Sequence, residues 1–318
     1  MNDTSLIRDW DEIVKTAAQA IGVGDLHQLA DGWPASYTGE IAATTGTRTV
    51  WRESGQYTLP KTVGIVLLNG GPAYWDRSAR LVHYKKVNDQ DYLLGSIVGD
   101  AASAATTCAV NIGRMPRYEV DLLRDSFRSA LIGTLALGGC GLWQRGGALK
   151  LQLDATNQAQ KIDALSKDGF SNIAHAIVEF AVEVVNGSAG ASPKLSIGLA
   201  SGTHATNASA IAQRLFMHID GNAAKINFES ADGTTTVAIT DSLQTYTTGT
   251  RFEIWIDCRD PTSVKFYVNG VQVLSGTTFN INAAASTWLL LAHLVKAAAT
   301  DTCEIDIDWA RVRIAEQL

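Results

Sequence analysis

In the C-terminal part of the chain, apolar and polar residues alternate with a period of two. Val178, Phe180, Val182 and Val184 are interleaved with Glu179, Ala181 and Glu183, and Leu195, Ile197 and Leu199 repeat the pattern. Ile226 with Phe228, and Val237 with Ile239, follow it again, and Phe252, Ile254, Ile256 and Cys258 form the strongest run. Successive side chains of a strand point to opposite faces, so each run predicts a strand with one buried face. Val264, Phe266 and Val268 lead into Asn269-Gly270, after which Val271 and Val273 return. Asn and Gly accept the positive φ angles of a tight turn, so this stretch predicts a hairpin. Many short strands separated by turns predict a two-sheet sandwich or jelly roll.

The N-terminal part reads differently. Residues 5–21 place Ile7, Trp10, Ile13, Val14, Ala17 and Ile21 at helical spacing, with Gly22 and Gly24 as stops. This predicts a short amphipathic helix, either packed on its own domain or serving as an inter-subunit arm through Ile7, Trp10 and Ile13. From Asp25 to Tyr57 the chain reads as irregular, with Arg48 to Trp51 beginning a β-unit. Between Leu59 and Gly113, the short apolar runs GIVLL, AYWD, LVHY and YLLGSIVG lie among turn signals such as Asn69-Gly70-Gly71-Pro72. Cys108, Val110 and Ile112 then alternate with Thr107, Ala109 and Asn111, so the stretch predicts a compact antiparallel unit. Residues 114–148 form a seam, with a boundary near Pro116. The domain reading is therefore a helical arm over 1–24, a β-domain over 25–116 and a β-sandwich over 117–318.

Two resemblances bear on these units. The order LPK, AYWD, LG, VGDAASAATTC and VN, read from Leu59 to Asn111, resembles a family of small phage β-proteins encoded beside the major capsid protein, similar to head decoration or cement proteins. The resemblance implies a small β-barrel-like domain, the major capsid protein as partner, a homotrimer at local three-fold positions, and a place on the outer surface of the virion. A recombinase reading would need a phosphate-cradling GxxxxGK[ST] loop, and none occurs. The run RFEIWIDCRDPTSVKFYVNGVQV over 251–273, with CEIDIDWARVRI over 303–314, is similar to the laminin-G and concanavalin-like lectin superfamily. That likeness implies a jelly-roll sandwich and leaves the ligand open, because the superfamily includes sugar binders, enzymes and structural modules.

Composition narrows the function. The 318 residues carry a net charge of −6 with only 18% charged residues, so clustered Lys and Arg for nucleic acid are lacking. No apolar run reaches the ~18 residues of a membrane span, and the polar, acidic start MNDTSLIRDWDE is unlike a secretory signal. Cys108, Cys140, Cys258 and Cys303 are widely spaced without CxxC, which disfavours zinc; three of them sit in strand patterns as reduced core thiols.

Candidate chemistry is sparse. The histidines at 27, 83, 175, 204, 218 and 293 never fall at HExxH or HxH spacing and read as ordinary strand or loop residues. Glu304, Asp306 and Asp308 share a strand face, which fits a solvated face better than a calcium site or a glycosidase pair, with Lys or Arg neighbours offsetting their repulsion. Asp257, Arg259 and Asp260 form a similar acidic turn. Gly198 to Gly202 is not a nucleophile elbow, since its serine falls one place late. Trp255 shares its strand face with Arg251, Glu253 and Asp257, so Trp255, Arg251 and Asp257 are candidates for a contact surface or a glycan platform. The sequence thus predicts a mainly β, non-enzymatic capsid decoration protein without cofactor or metal, and as the alternative a lectin-like glycan-binding module.

Overall fold

The structure is a computed structural model. It describes residues 55–116 and, apart from 146–147, 167, 172, 188–193, 221–223 and 285–286, residues 141–314; elsewhere it describes strands at 12–16, 26–28, 34–37, 47–52 and 120–121. The chain divides into two compact units, Met1–Pro116 and Arg117–Leu318.

The first unit begins with β1 (Glu12–Thr16), β2 (Leu26–Gln28), β3 (Pro34–Tyr37) and β4 (Thr47–Arg52), an antiparallel sheet in the order β1-β4-β3-β2. The helix expected over 5–21 is corrected here. Ile13 pairs with Val50 in a ladder between β1 and β4. Residues 12–16 contain Ile13, Val14 and Thr16, whose β-branched side chains favour a pleated strand over a helix. Ile7 and Trp10 lie outside the described residues. The stretch expected to be irregular carries β2 and β3, and β4 covers Arg48–Trp51, where a β-unit is expected to begin.

The second sheet comprises β5 (Gly55–Pro60), β6 (Pro72–Asp76), β7 (Leu81–His83), β8 (Tyr92–Val98) and β9 (Thr107–Ile112), in the order β5-β9-β8-β6-β7. Its two edges meet where Lys61 bridges Val82 and the Thr62 N–H donates to the Val82 carbonyl at 3.1 Å, which makes the unit barrel-like. Leu67, Ala73, Trp75, Val82, Leu94, Ile97 and Val110 fill its interior. The GIVLL run is a loop rather than a strand, turned by Gly64 at φ 92° and bridged only through Leu67 to Ala101.

Lys61, Asp76 and Gly95, which belong to the decoration-protein pattern, hold this unit together with Asp91. Lys61 is 1% exposed, and its ammonium shares its protons among the carbonyls of Thr62 and Ile65 at 2.9 Å and of Ala102 and Ala105 at 3.1 Å. One side chain thereby ties two loops across the barrel. Asp76 accepts from the backbone of Ser78 and Ala79, and Asp91 from that of Arg77, Val87 and Asn88. Gly95 runs so close to β9 that a Cβ would lie 2.1 Å from the Asn111 carbonyl oxygen.

The second unit is an antiparallel jelly-roll sandwich. Its strands are β10 (Val120–Asp121), β11 (Gly141–Arg145), β12 (Ala148–Leu153), β13 (Gln158–Leu165), β14 (Ala176–Asn186), β15 (Lys194–Ala200) and β16 (Gln213–Asp220). They continue with β17 (Lys225–Asp232), β18 (Thr236–Thr245), β19 (Arg251–Asp257), β20 (Lys265–Val268), β21 (Val271–Val273), β22 (Leu289–Ala299) and β23 (Cys303–Ile314). One sheet runs β11-β12-β23-β14-β19-β20-β21, with β10 also on β23; the other runs β13-β22-β15-β16-β17-β18. The predicted alternation is realised between them. Val178, Phe180, Val182, Ile254, Ile256 and Phe266 from the first sheet meet Leu195, Ile197, Leu199, Leu215, Phe228 and Leu290 from the second in one core. Asn269 at φ 50° and Gly270 at φ 79° turn the β20–β21 hairpin. Ile239, read as a core position, is instead 47% exposed.

Candidate functional site

The outer face of the six-stranded sheet carries a row of polar residues straight across five neighbouring strands. Asp163 on β13 pairs in register with His293 on β22, His293 with Ser196 on β15, Ser196 with His218 on β16, and His218 with Asn227 on β17. Each polar member occupies the outward slot of an alternating strand, between core residues such as Leu195 and Ile197 around Ser196, or Ala292 and Leu294 around His293. The alternation that buries the core therefore aligns the row on the opposite face.

These side chains are held by one another. Asp163 accepts from His293 Nδ1 at 2.5 Å and lies 2.7 Å from Lys161 Nζ. Ser196 Oγ is 2.9 Å from His218 Nδ1, and His218 Nε2 is 2.9 Å from Glu229 Oε1. Glu229 also accepts from Ser209 Oγ at 2.7 Å and pairs with Arg214 Nε at 3.1 Å. Burial by itself would raise the Glu229 carboxyl, but the His218, Ser209 and Arg214 partners outweigh it and hold the group at about 2. Glu229 is thus an anion at any physiological pH.

The segment between β15 and β16 folds back over this face. Its short 3₁₀ turn, Ala208–Ala210, packs Ala208 and Ile211 on Phe216 and Leu291 of the sheet. The Asn207 side chain accepts from the Ser209 N–H at 3.0 Å, His204 Nδ1 accepts from the Asn207 N–H at 3.1 Å, and Lys161 donates to the His204 carbonyl at 3.2 Å. This wiring sets one wall of a cavity of about 540 Å³, whose floor is formed by Ser196, His218 and His293. Gln160 and Lys161 of β13, Lys296 of β22 and Lys194 at the start of β15 border it, and Ile239 of β18 also lines it. Lys296 is 1% exposed, and its ammonium is pinned by the carbonyls of Thr156, Ala299 and Asp301 at 2.9 to 3.1 Å and by that of Asp154. Gly198, at φ 151°, lets β15 and β16 approach so closely that a Cβ would lie 2.1 Å from the Leu215 carbonyl oxygen.

The residues singled out from the sequence lie on the other sheet. Trp255 is 6% exposed, with its ring centroid 6.0 Å from that of Tyr267, and it pairs in register with Glu179. A ring so enclosed is a packing contact and offers no open platform to a sugar. Arg251 pairs with Asp308 at 2.7 Å, and Asp257 with Arg259 at 2.7 Å. Glu304 pairs with Lys150, so basic neighbours offset Glu304 and Asp308, while burial and the nearby Glu304, Glu183 and Asp308 raise the Asp306 carboxyl in spite of Lys150. Among the described residues no cluster of His, Cys, Asp or Glu could hold a metal ion, and Cys108, Cys258 and Cys303 are free and buried. The site that the structure does assemble rests on His218 and His293, which sequence reasoning had set aside. Their signal was positional: each is the polar residue between two core residues of a strand.

No family model and no curated protein matches the chain. Among solved structures, the carbohydrate recognition domain of Emp47p is similar at 15% identity over 56% of this chain and 87% of its own, with a TM-score of 0.42. The carbohydrate binding module CBM66 from Bacillus subtilis is 9% identical over 55% of this chain and 91% of its own, at TM-score 0.37. The laminarinase from Rhodothermus marinus is also 9% identical over 55% of this chain and 81% of its own, at TM-score 0.42. At such identities and scores the likeness assigns neither ligand nor reaction.

Proposed function

We propose that residues 117–318 form a saccharide-binding module. The observation that carries this reading is the cavity of about 540 Å³ on the outer face of the six-stranded sheet, within the usual range for small-ligand sites. Its wall presents both hydrogen-bond donors and acceptors from Ser196, Asn207, Ser209, Gln160 and the two histidines, alternating with the small apolar surfaces of Ala159, Ala205 and Val295. A sugar offers the complement: hydroxyls that donate and accept, and C–H faces that need apolar contact. The mutual hydrogen bonds of the floor fix these groups before a ligand arrives, which lowers the ordering cost of binding. Among the described residues the wall carries no Asp or Glu, and so no pair of carboxylates of the kind glycoside hydrolysis uses. Binding is the role these residues fit.

The test is a glycan-array screen of the full-length protein beside the Ala205→Trp variant, whose indole would fill the cavity mouth. Binding by the parent that is lost in the variant supports the reading. Binding that survives the variant places the sugar elsewhere.

The Leu59–Asn111 pattern favours a second, compatible role: the N-terminal unit anchors the protein to a phage head as a trimeric decoration protein, displaying the sandwich outward. The decoration-type residues Lys61, Asp76 and Gly95 all serve the barrel scaffold, which supports a shared fold for that unit. Co-sedimentation with expanded capsids tests the role. Fragment 1–116 should bind and fragment 117–318 should not, and the reverse would overturn the assignment.

A further inference from the structure

Among the described residues that line the cavity, every ionisable one is basic: Lys161, Lys194, His218, His293 and Lys296, the last with its ammonium turned to backbone carbonyls. The two carboxylates that approach it lie behind the histidine rings and are turned to partners. Asp163 faces Lys161 and His293, and Glu229 faces Arg214, His218 and Ser209. Asp163 is offset by Lys161 and Glu229 by Arg214, so neither projects negative charge into the space. A concave, low-dielectric wall of one sign concentrates the opposite sign.

A second observation is independent of this count. His293 is 0% exposed, its Nδ1 is engaged by Asp163, and its Nε2 has no hydrogen-bond partner. Buried polar atoms in folded proteins are nearly always satisfied, so this orphan beside the cavity calls for a partner. With Nδ1 engaged by Asp163, Nε2 is the ring atom left to meet a hydroxyl of a ligand.

We propose that the cavity selects acidic saccharides bearing a carboxylate, of the uronic or sialic acid kind, with the carboxylate set against the ammonium groups of Lys161 and Lys194 and a sugar hydroxyl against His293 Nε2. This rests on the saccharide-binding reading above and adds the chemical class of the ligand. The neutral hydroxyls of the sugar then meet Ser196, Asn207 and Ser209, while the acid group meets the basic side of the wall.

The experiment uses full-length protein on an array of neutral, carboxylated and sulfated oligosaccharides, followed by calorimetric titration of each carboxylated hit against its own methyl ester. Esterification keeps the shape and removes the charge. The free acid should bind roughly 10-fold more tightly than the ester, as a charge-assisted hydrogen bond would give. Raising salt from about 0.05 to 0.5 M should weaken the acid and leave the ester nearly unchanged. Lys194→Gln, at an exposed position, should shrink the acid-to-ester ratio without lowering thermal stability. Equal binding of acid and ester, or preference for neutral chains, overturns this inference and leaves the saccharide reading standing. Preference for sulfated chains over carboxylated ones also overturns it. Binding to none of the array overturns both.

Discussion

Replacing Glu229 by Gln removes the negative charge shared by Arg214 and His218 beneath the cavity. The carboxylate is 1% exposed, and the Arg214 side chain beside it is 9% exposed, so the substitution leaves a cation enclosed without its counter-charge. Breaking a buried pair by removing one partner costs about 3 to 5 kcal/mol. The titration of the group gives a similar figure by another route. A carboxyl held at about 2 in the folded protein, against a usual value near 4.3, contributes roughly 3 kcal/mol at neutral pH. Because the folded value is the lower one, this stability is present above about pH 4.5 and is lost as pH falls towards 2. Urea unfolding of the sandwich, followed by intrinsic fluorescence, should show Glu229→Gln about 3 kcal/mol less stable than the parent at pH 7, with the gap closing as the solution is acidified. Arg214→Leu combined with Glu229→Leu should recover most of the loss, since an apolar pair leaves no charge unpaired. A gap below about 1 kcal/mol at neutral pH, or one that stays constant down to pH 2, would refute the reasoning.

Three further outcomes follow from single residues. Lys61→Met deprives four loop carbonyls of their shared donor and should destabilise fragment 1–116 by about 2 to 5 kcal/mol in urea; a loss under about 1 kcal/mol would mean that water replaces the ammonium. Trp255→Ala should cost the sandwich about 3 to 5 kcal/mol, whereas a negligible cost would mean that the ring is open to solvent. In a Cys140→Ser background the native protein should resist thiol alkylation until it is unfolded, because burial raises Cys108 to about 11 and Cys303 to about 12 and raises Cys258 as well; rapid labelling of the native state would contradict their enclosure.

The sandwich was legible because its signal is local. Val178, Phe180, Val182 and Val184 on β14, or Phe252, Ile254, Ile256 and Cys258 on β19, show a buried face within one strand, and Asn269-Gly270 announces its own turn. The helix expected over 5–21 failed on a short window. Ile7, Trp10 and Ile13 fit a helical period, but Ile13, Val14 and Thr16 also suit a strand, and pairing with β4 decides for the strand. GIVLL has the apolar residues of a strand, yet the burial of Lys61 and the positive φ of Gly64 shape it into a loop.

The cavity was hidden for a different reason. Asp163, Ser196, His218 and His293 come from four strands, and only the register between those strands places them side by side. Within each strand the polar residue is what alternation alone would put on an outer face. Trp255 stood out as an aromatic residue on a polar face, yet a sequence cannot show that this face is covered.

The central claim is that saccharides enter the cavity above His218 and His293. Ring nitrogen resonances of the histidines, followed by NMR during titration with an array-selected oligosaccharide, test it most directly. His218 and His293 should shift together along the binding curve while His83, in the other unit, stays in place. Saturable binding that leaves both rings unmoved would contradict the account.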